Sequence, residues 1–339
     1  MREKARLIDI AKALNVSTTT VSRALNNKSD ISPKTKEAVL SLARKLDYQP
    51  NNLAISLRKK RSFQSIGVIL PNVGHYFFST VLKGIMQKAH LNNYLVMVGE
   101  SNANALEEEK LVEEFVNYGV NGILITPGKE SNYTAISELL QTKRIPHVLI
   151  DRTFPNYNGN YVLSNDIEGA KLATNHLLDN GCQRIAYVGI LDKCSVCLKR
   201  YSGYLSALKE YGIPTDTSIV IKFNEINHRA GFEAARQLFS LDHPPDSVFA
   251  VTDNVAAGVI EYCHENGIDV PNQLAVVGFS NSEISSIVQP KLTTIEQKGE
   301  HMGELAFDYF HQSLIDKDAV MQKTFDLQLI VRESSVKER

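Results

Sequence analysis

The sequence is poor in cysteine. Four cysteines occur in 339 residues, a usage typical of proteins kept in a reducing compartment, and we therefore expect a cytoplasmic protein. Cys194 and Cys197 have the Cys-x-x-Cys spacing of a redox or zinc motif. No second pair and no histidine stands at metal-ligand spacing from them, so we predict no metal and no other cofactor.

Long apolar runs are also absent. Crossing a bilayer takes roughly 20 consecutive apolar residues, and no stretch of the chain approaches that length. The N-terminus, Met1-Arg2-Glu3-Lys4, leads directly into an amphipathic pattern without the features of a signal peptide. These absences predict a protein that acts without a membrane.

The motifs of common enzyme classes are missing as well. No Gly-x-Gly-x-x-Gly follows a strand pattern, and neither a phosphate-binding loop nor a Gly-x-Ser-x-Gly turn is present. Serine, histidine and aspartate occur along the chain, but no pattern pairs them. We therefore predict that the protein is not an enzyme. A binding module that has no role at DNA, such as a solute receptor, is one alternative to an enzyme.

The charge is small overall but unevenly distributed. The chain has a formal net charge of −1, whereas residues 1–62 hold fourteen Lys or Arg and five Asp or Glu. That segment is therefore +9 and the remainder is −10. A basic, patterned head on an acidic body is typical of nucleic-acid-binding proteins and argues against a plain solute receptor.

Residues 9–26 have the pattern of two short helices joined by a tight turn. Asn15 tolerates the left-handed backbone that such a turn requires, and Ser17 is a suitable N-cap for the second helix. Apolar residues recur at helical spacing in both segments: Ile10, Ala11, Leu14, Val21, Ala24 and Leu25. An ordinary helical hairpin, such as occurs in proteins that never bind DNA, is the alternative.

A third helix is predicted after this hairpin. Ser32 and Pro33 form a cap followed by proline at the first helical position. The expected apolar face comprises Val39, Leu42, Ala43 and Leu46, so that three helices can enclose a small core. A further short helical segment, 48–61, ends in the basic run Arg58-Lys59-Lys60-Arg61.

Beyond this basic run, short apolar strands alternate with amphipathic helices. Strands are predicted at 65–70, 94–98, 121–126, 147–150, 184–190, 218–223, 247–251 and 273–279. Helices are predicted at 76–91, 106–118, 133–141, 196–211, 228–241, 255–266 and 299–314. The alternation predicts an α/β body of two doubly wound parallel sheets, with a cleft at the carboxyl ends of their strands.

Four motifs occur in order along the head: Val16-Ser17, Thr20-Val21-Ser22-Arg23, Tyr48-x-Pro50-Asn51 and Leu57. At these spacings they resemble the LacI/GalR family of bacterial transcription regulators, and the likeness continues over nearly the whole chain. The resemblance implies a helix-turn-helix head at 1–61, with a hinge helix at about 50–58. It also implies a periplasmic-binding-protein-like sensing domain at 62–339, with a near subdomain at about 62–162 and 294–321. A far subdomain would span about 163–291 and include a C-terminal strand at 324–331.

The resemblance also implies which residues contact DNA. It places Thr18, Thr19 and Arg23 at base-reading positions, where arginine can form two parallel hydrogen bonds to guanine, worth about 1–3 kcal/mol of discrimination. Phosphate contact or helix capping is implied for a second set: Ser17, Thr20, Ser22 and Asn26. For Thr20, inward packing of the hydroxyl is the alternative.

The hinge motif begins at Asn51 and places Leu57 on the residue that enters the minor groove. An apolar wedge at this point unstacks a base step and kinks the duplex. An ordinary linker hydrophobe is the alternative for Leu57. The sequence departs from the family pattern at Ile55, where an arginine is common.

For the cleft, the resemblance matches Arg200, in Arg200-x-x-Gly203-Tyr204, to the arginine that grips the ligand. Asp151, at the end of the fourth predicted strand, matches a carboxylate that accepts ligand hydroxyls. The other predicted effector-binding residues are His75, Phe77, Asp253 and Ser280. All of these except Arg200 have a structural alternative, since polar residues at strand ends also cap helices.

Several cleft positions depart from the family pattern. Ser280 stands where many relatives have aspartate, and Thr252 replaces an asparagine before Asp253. His75-Tyr76 replaces Asn-Pro, which leaves Phe77 or Phe78 to stack on a ligand, and Asn165-Asp166 inverts the usual order. The effector, including whether it is a sugar, is therefore left open.

The resemblance as a whole implies a repressor that binds a pseudo-palindromic operator. No leucine-heptad tail follows Arg332-Glu333-Ser334, so a homodimer rather than a tetramer is implied. A small-molecule effector in the cleft, a sugar or related metabolite, would set operator affinity. The resemblance does not decide whether the effector is an inducer or a corepressor. It also leaves open whether the protein activates transcription and whether a protein co-regulator takes part.

Overall fold

The computed structural model describes residues 7–25, 27–46, 48, 64–128, 130–154, 156–191 and 195–337. The chain divides into two compact units between Phe63 and Gln64. The predicted hinge helix at about 50–58, with Asn51 and Leu57, and the predicted phosphate contact Asn26 lie outside the described residues. Within the described ranges, no helix is both long and apolar enough to cross a membrane.

The first unit contains three helices: α1 (Leu7–Ala13), α2 (Thr18–Leu25) and α3 (Pro33–Lys45). Asn15 has a φ of 53°, which confirms it as the left-handed residue of the turn. The Ser17 hydroxyl accepts a hydrogen bond from the Thr20 amide at 3.0 Å, so the predicted cap of α2 is confirmed. Ser32 caps α3, with Pro33 at its first position, also as predicted.

The three helices share a small apolar core. Its buried members are Ile10, Ala11, Val21, Ala24, Val39 and Ala43. The prediction that Leu46 belongs to this core is wrong, since Leu46 is 39% exposed. The physical reason is that α3 ends at Lys45, so Leu46 leaves the helical face that the other residues share.

The second unit begins with a six-stranded parallel sheet. Its strands are β1 (Ser65–Leu70), β2 (Leu95–Glu100), β3 (Gly122–Ile125), β4 (His147–Ile150), β5 (Asn160–Ser164) and β11 (Gln322–Phe325). They lie in the order β11-β5-β4-β3-β1-β2. Parallel pairing puts all carboxyl ends on one edge of the sheet, as the alternating pattern predicts.

Helices cover both faces of this sheet. Val68, Leu124 and Ile150 pack against α4 (Tyr76–Leu91) and α12 (Gly299–Ile315) on one face. Ile69, Ile125 and Leu149 pack against α5 (Ala105–Tyr118) and α6 (Tyr133–Thr142) on the other. Successive strand residues point to opposite faces, so neighbouring residues of one strand enter different cores. We call this sheet, with α4, α5, α6 and α12, the first half.

A four-stranded parallel sheet forms the second half. Its strands are β6 (Ile185–Gly189), β7 (Val220–Lys222), β8 (Ser247–Ala250) and β9 (Ala275–Val277), in the order β7-β6-β8-β9. Its helices are α7 (Asp166–Asp179), α8 (Ser195–Glu210), α9 (His228–Phe239) and α10 (Asp253–Glu265). A short helix, α11 (Ile284–Ile287), follows β9.

Glycines let paired helices approach closely. A Cβ at Gly231 of α9 would lie 1.9 Å from the Val255 carbonyl oxygen, and one at Gly258 of α10 would lie 1.9 Å from that of His228. Gly84 of α4 and Gly303 of α12 have the same relation across their own helix pair. Each half is therefore a tightly packed body with little room for its helices to shift.

The prediction of one C-terminal strand at 324–331 is wrong. The segment divides into β11, which pairs with β5 in the first half, and β12 (Gln328–Ile330), which pairs antiparallel with β10 (Thr294–Glu296). The reason is visible in the packing: Phe325 is buried in the core of the first half and Leu327 in that of the second. The chain changes cores within two residues.

Some elements escaped the sequence pattern, among them a strand and a long helix. β5 and α7 were not predicted, although Asn165 caps α7 by accepting a hydrogen bond from the Glu168 amide. α7 buries small residues such as Ala170 and Ala173 rather than large apolar ones, so its helical stripe is faint. Asn165, a good N-cap before that stripe, was the available signal.

Candidate functional site

Polar side chains gather where the strands of the first half end. Thr126 follows β3, Asp151 follows β4, and Ser164 ends β5; all three are at most 3% exposed. Within the described residues, both hydroxyls and the Asp151 Oδ1 atom have no hydrogen-bond partner. Buried polar atoms of this kind require a partner from water or a ligand, because leaving them unpaired costs free energy.

The turn after β4 places a positive charge beside Asp151. Asp151 has a φ of 66°, and its amide donates to the Val162 carbonyl at 2.9 Å. Arg152 follows, with its Nε 3.5 Å from Asp151 Oδ2 and its Nη1 donating to the Pro127 carbonyl at 3.3 Å. Arg152 was not among the predicted site residues: it directly follows a strand end in the sequence, but only the fold shows which groups it meets there.

Arg200 is buried at the corresponding edge of the second half. Its Nε donates to Asp166 Oδ1 at 2.8 Å, and its Nη1 donates to the Val251 carbonyl at 2.8 Å. The guanidinium lies over the ring of Phe279, 3.6 Å from the ring centroid. Arg200 is thereby fixed by the start of α7, the end of β8 and the segment after β9.

The hydrogen bond from Arg200 uses one carboxylate oxygen of Asp166, Oδ1, and the second oxygen is Oδ2. Within the described part of the chain, its Oδ2 has no hydrogen-bond partner, and the residue is 1% exposed. Burial raises the pKa of Asp166, the adjacent positive charge of Arg200 opposes that rise, and the carboxylate of Asp151 adds to it. Asp151 belongs to the first half, so the two halves face each other here.

His75 belongs to the same site. It precedes α4, and its Nδ1 is buried with no hydrogen-bond partner among the described residues. Burial, and then the positive charges of Arg200 and Arg152, lower the pKa of His75 to about 4. At neutral pH the ring is therefore neutral and keeps one nitrogen as a donor and one as an acceptor.

Phe78 is the aromatic ring beside these charges. Its centroid is 5.6 Å from that of His75 and 5.9 Å from the Arg152 Cζ atom. Phe77 and Phe78 are both buried, at 4% and 6% exposed, and both belong to the core between α4 and α12. Contact with His75 and Arg152 therefore distinguishes Phe78, whereas burial does not. Of the two phenylalanines that could stack on a ligand, the geometry favours Phe78, and a ligand contact by Phe77 stays a prediction.

Both carboxylate oxygens of Asp253 already accept hydrogen bonds from other residues of the protein. Its Oδ2 accepts hydrogen bonds from the Ser282 amide at 2.6 Å and the Ser282 hydroxyl at 2.9 Å, and its Oδ1 accepts one from Thr294. Thr252 caps α10 by accepting from the Val255 amide. These bonds give Asp253 a structural role, joining the start of α10 to β10, and its predicted contact with an effector is untested.

Ser280 lies in the segment that follows β9. It has a φ of 115°, which an L-residue rarely adopts. Its hydroxyl donates to Gln297 Oε1 at 2.8 Å, and Gln297 Nε2 has no partner among the described residues. Gln297, like Arg152 and Asp166, was not predicted, since only the fold brings residues 75, 152, 166, 200 and 297 into one region.

Glu108 is a further buried carboxylate near this edge. It is fully buried on α5, its Oε1 accepts a hydrogen bond from the Gly128 amide, and its Oε2 has no partner in the described ranges. Burial raises the pKa of Glu108. It therefore holds the segment that follows β3 in place beside Thr126.

The residues predicted to read DNA lie on α2. Thr18, Thr19 and Arg23 are exposed, whereas Thr20 and Ser22 are half-buried. The Thr20 hydroxyl lies 2.9 Å from that of Ser17, which is consistent with a capping role for this pair.

Arg23 is held in place by an acidic partner. Its Nη2 lies 2.7 Å from Asp30 Oδ2, and both side chains are about half exposed. The hydrogen bond from Arg23 lowers the pKa of Asp30. The guanidinium of the predicted base reader is therefore oriented before any DNA arrives, by a residue that the sequence did not single out.

In the described ranges, no three His, Cys, Asp or Glu side chains are grouped so as to hold an ion. Cys197 is buried on α8, and its motif partner Cys194 lies outside the described residues.

Comparison with known proteins matches both units of the chain. Residues 6–51 match the model of bacterial regulatory proteins of the lacI family, and residues 174–335 match a periplasmic binding protein-like domain. The chain is 30% identical to catabolite control protein A of Priestia megaterium, over 93% of this chain and 95% of that protein. It is 31% identical to the NTD biosynthesis operon regulator NtdR of Bacillus subtilis, over 96% and 98%.

A solved structure shows the same fold. The Lac repressor dimer bound to operator and the anti-inducer ONPF superimposes with a TM-score of 0.82 at 24% identity. The match covers 98% of this chain and 100% of that one.

The environment of His75 predicts its titration. We expect a pKa of about 4, measured by NMR on the Cε1–H signal that is lost in His75→Asn. Because the folded value lies below the unfolded value of about 6.5, the unfolded chain binds the proton first as the pH falls. The free energy of unfolding should therefore decrease by up to about 3 kcal/mol between pH 6.5 and pH 4 through this residue. A measured pKa of 6.5 or higher would contradict this geometry.

Proposed function

The chain belongs to the LacI family of bacterial regulatory proteins and controls transcription by binding DNA, and from this we propose that it is a homodimeric repressor responding to a neutral, polyhydroxylated metabolite. The observation that carries the effector part is a group of buried polar atoms at the carboxyl ends of the strands, for which the described residues supply no hydrogen-bond partner. Its members include atoms of Thr126, Asp151, Ser164, Asp166 and Gln297.

The charges at this edge favour a neutral effector. Arg152 pairs with Asp151 and Arg200 pairs with Asp166, so each of these four charges already has a partner, and an ionic ligand would compete with one of the two pairs. Donors and acceptors stand side by side, as the hydroxyls of a sugar require, and the Phe78 ring offers an apolar face. A sugar or a related polyol fits these features.

The DNA-binding part rests on the head. We propose that Thr18, Thr19 and Arg23 read base edges, while Ser17, Thr20 and Ser22 position the helix on the backbone. The division of the chain between Phe63 and Gln64 supports a head at 1–61 and a sensing domain at 62–339. For Asn26, Asn51 and Leu57, the sequence motifs alone support a role at the operator.

The assembly and the switch are proposed by analogy with the Lac repressor dimer bound to operator. Two heads would bind half-sites of a pseudo-palindromic duplex in the cytoplasm. Effector binding between the halves would change their closure and thereby operator affinity. Such coupling is typically about 1–3 kcal/mol and is reciprocal, so operator DNA changes effector affinity by the same factor.

Selection of bound sequences from a random duplex pool, with the full chain, tests the DNA-binding part. We expect a pseudo-palindromic site, and we expect Arg23→Ala to weaken binding to it by about 1–3 kcal/mol while random duplexes lose less, because Arg23 reads a base edge. If Arg23→Ala weakens binding to selected and random duplexes equally, Arg23 contacts phosphates and does not read a base edge. A failure to select any sequence would contradict the proposal.

The ion pair between Arg23 and Asp30 makes a separate prediction. Asp30→Asn should flatten the preference at the one base pair that Arg23 reads, because the guanidinium loses the partner that orients it. Removing a negative charge should also raise affinity for all duplexes. The measurement is binding to the selected site and its three single-base alternatives.

Glu37→Gln is the matched control, since it removes the same charge from an exposed position on α3. We expect the control to raise affinity without altering base preference. If both variants leave the preference at that base pair equally intact, Asp30 does not position Arg23.

A further inference from the structure

A cavity of about 450 Å³ lies at the amino-terminal edge of the first half, opposite the edge that carries Asp151. It is open to the surface and is lined by the end of α6, the starts of β4 and β5, and the end of α12. A second cavity of about 400 Å³ adjoins it and shares Gln141, His147, Tyr157 and Gly159. Together they have the size of a small-molecule site.

The walls of the larger cavity are mainly apolar. They include Leu140, Ile145, Pro146, Tyr157 and Leu314. In the adjoining cavity, the rings of Tyr133 and Phe154 are stacked with centroids 4.5 Å apart, and Tyr157 meets Tyr133 edge-on at 5.3 Å. Flat apolar ligands are bound by rigid aromatic walls of this kind.

The lining carries positive charge and no carboxylate. Arg144 and Lys317 line the larger cavity, and no Asp or Glu occurs among the described residues of either lining. In the described part of the chain, neither cation is part of an ion pair. Asp316 and Asp318 flank Lys317 in sequence but do not line the cavity.

His147 adds a neutral polar group at the junction of the two cavities. Its Nε2 lies 3.1 Å from the Tyr133 hydroxyl, and burial lowers the pKa of His147. The ring is therefore uncharged at neutral pH, and Arg144 and Lys317 supply the positive charge. This differs from the cleft, where cations and carboxylates balance.

We propose that these joined cavities are a second ligand site, distinct from the effector cleft, for a small carboxylate or phosphate ester with a flat apolar body. Arg144 and Lys317 bind the anionic group, and the apolar and aromatic walls hold the ring. Charge-assisted hydrogen bonds of this kind are about twice as strong as neutral ones, so the two cations set the selectivity.

Two elements join this site to the cleft. β4 begins at His147, in the cavity lining, and ends at Ile150. Asp151 follows it, four residues and about 13 Å from His147. α12 follows Gln297 at the cleft and ends just before Lys317. A ligand that displaces either end therefore acts on residues that face the effector.

The test is isothermal titration of the full chain with benzoate and phenyl phosphate, with benzyl alcohol as the neutral comparison. We expect at least one of the two anions to bind, and benzyl alcohol to bind at least tenfold more weakly. Arg144→Gln/Lys317→Gln should weaken anion binding at least tenfold. Both residues are exposed, so the variant should keep its fold, which circular dichroism checks.

Lys143→Gln/Lys209→Gln removes the same charge from two exposed positions outside the lining and is the matched control. Its anion affinity should stay within twofold of the parent chain. The proposal is overturned if neither anion binds at 10 mM, if benzyl alcohol binds as tightly, or if the cavity variant and the control bind equally well. None of these readouts involves DNA, so they are independent of the proposed regulatory function.

Discussion

A positive charge buried at the ends of parallel strands organises the sensing domain. Arg200 can be buried only because Asp166, the Val251 carbonyl and the Phe279 ring all contact it. An ion taken out of water needs such partners, since an unpaired buried charge costs several kcal/mol. The start of α7, the end of β8 and the segment after β9 are thus fixed relative to one another, and the remaining oxygen of Asp166 is directed toward the other half.

The two halves influence each other through these charges. Burial is the main cause of the lowered pKa of His75 and of the raised pKa of Asp166, but Arg200 in the second half adds to the lowering at His75, and Asp151 in the first half adds to the rise at Asp166. Each half is tightly packed, with helices that approach to backbone contact at Gly84 and Gly258. Such bodies respond to a ligand by moving as units rather than by deforming, which is how closure of a two-lobed site can reach distant residues.

The sequence predicted what depends on local patterns. The turn at Asn15, the caps at Ser17 and Ser32 and most strands and helices follow from spacing and from residues with strong local preferences. It could not predict that the chain passes from the core of the first half to that of the second between Phe325 and Leu327, because this depends on contacts between distant segments. In the site, Asp151 and Arg200 were matched by motif, whereas Arg152, Gln297 and the Asp30 partner of Arg23 became visible only with the fold.

The central claim is that Arg200 joins effector recognition to DNA binding. The direct measurement is the affinity of the full chain for its selected operator across a panel of mono- and disaccharides, repeated with Arg200→Gln. We expect at least one sugar to change the affinity of the parent chain about 5- to 150-fold, in either direction, and to leave that of the variant unchanged. The account is contradicted if the variant retains the full response, or if no sugar in the panel alters operator binding by the parent chain.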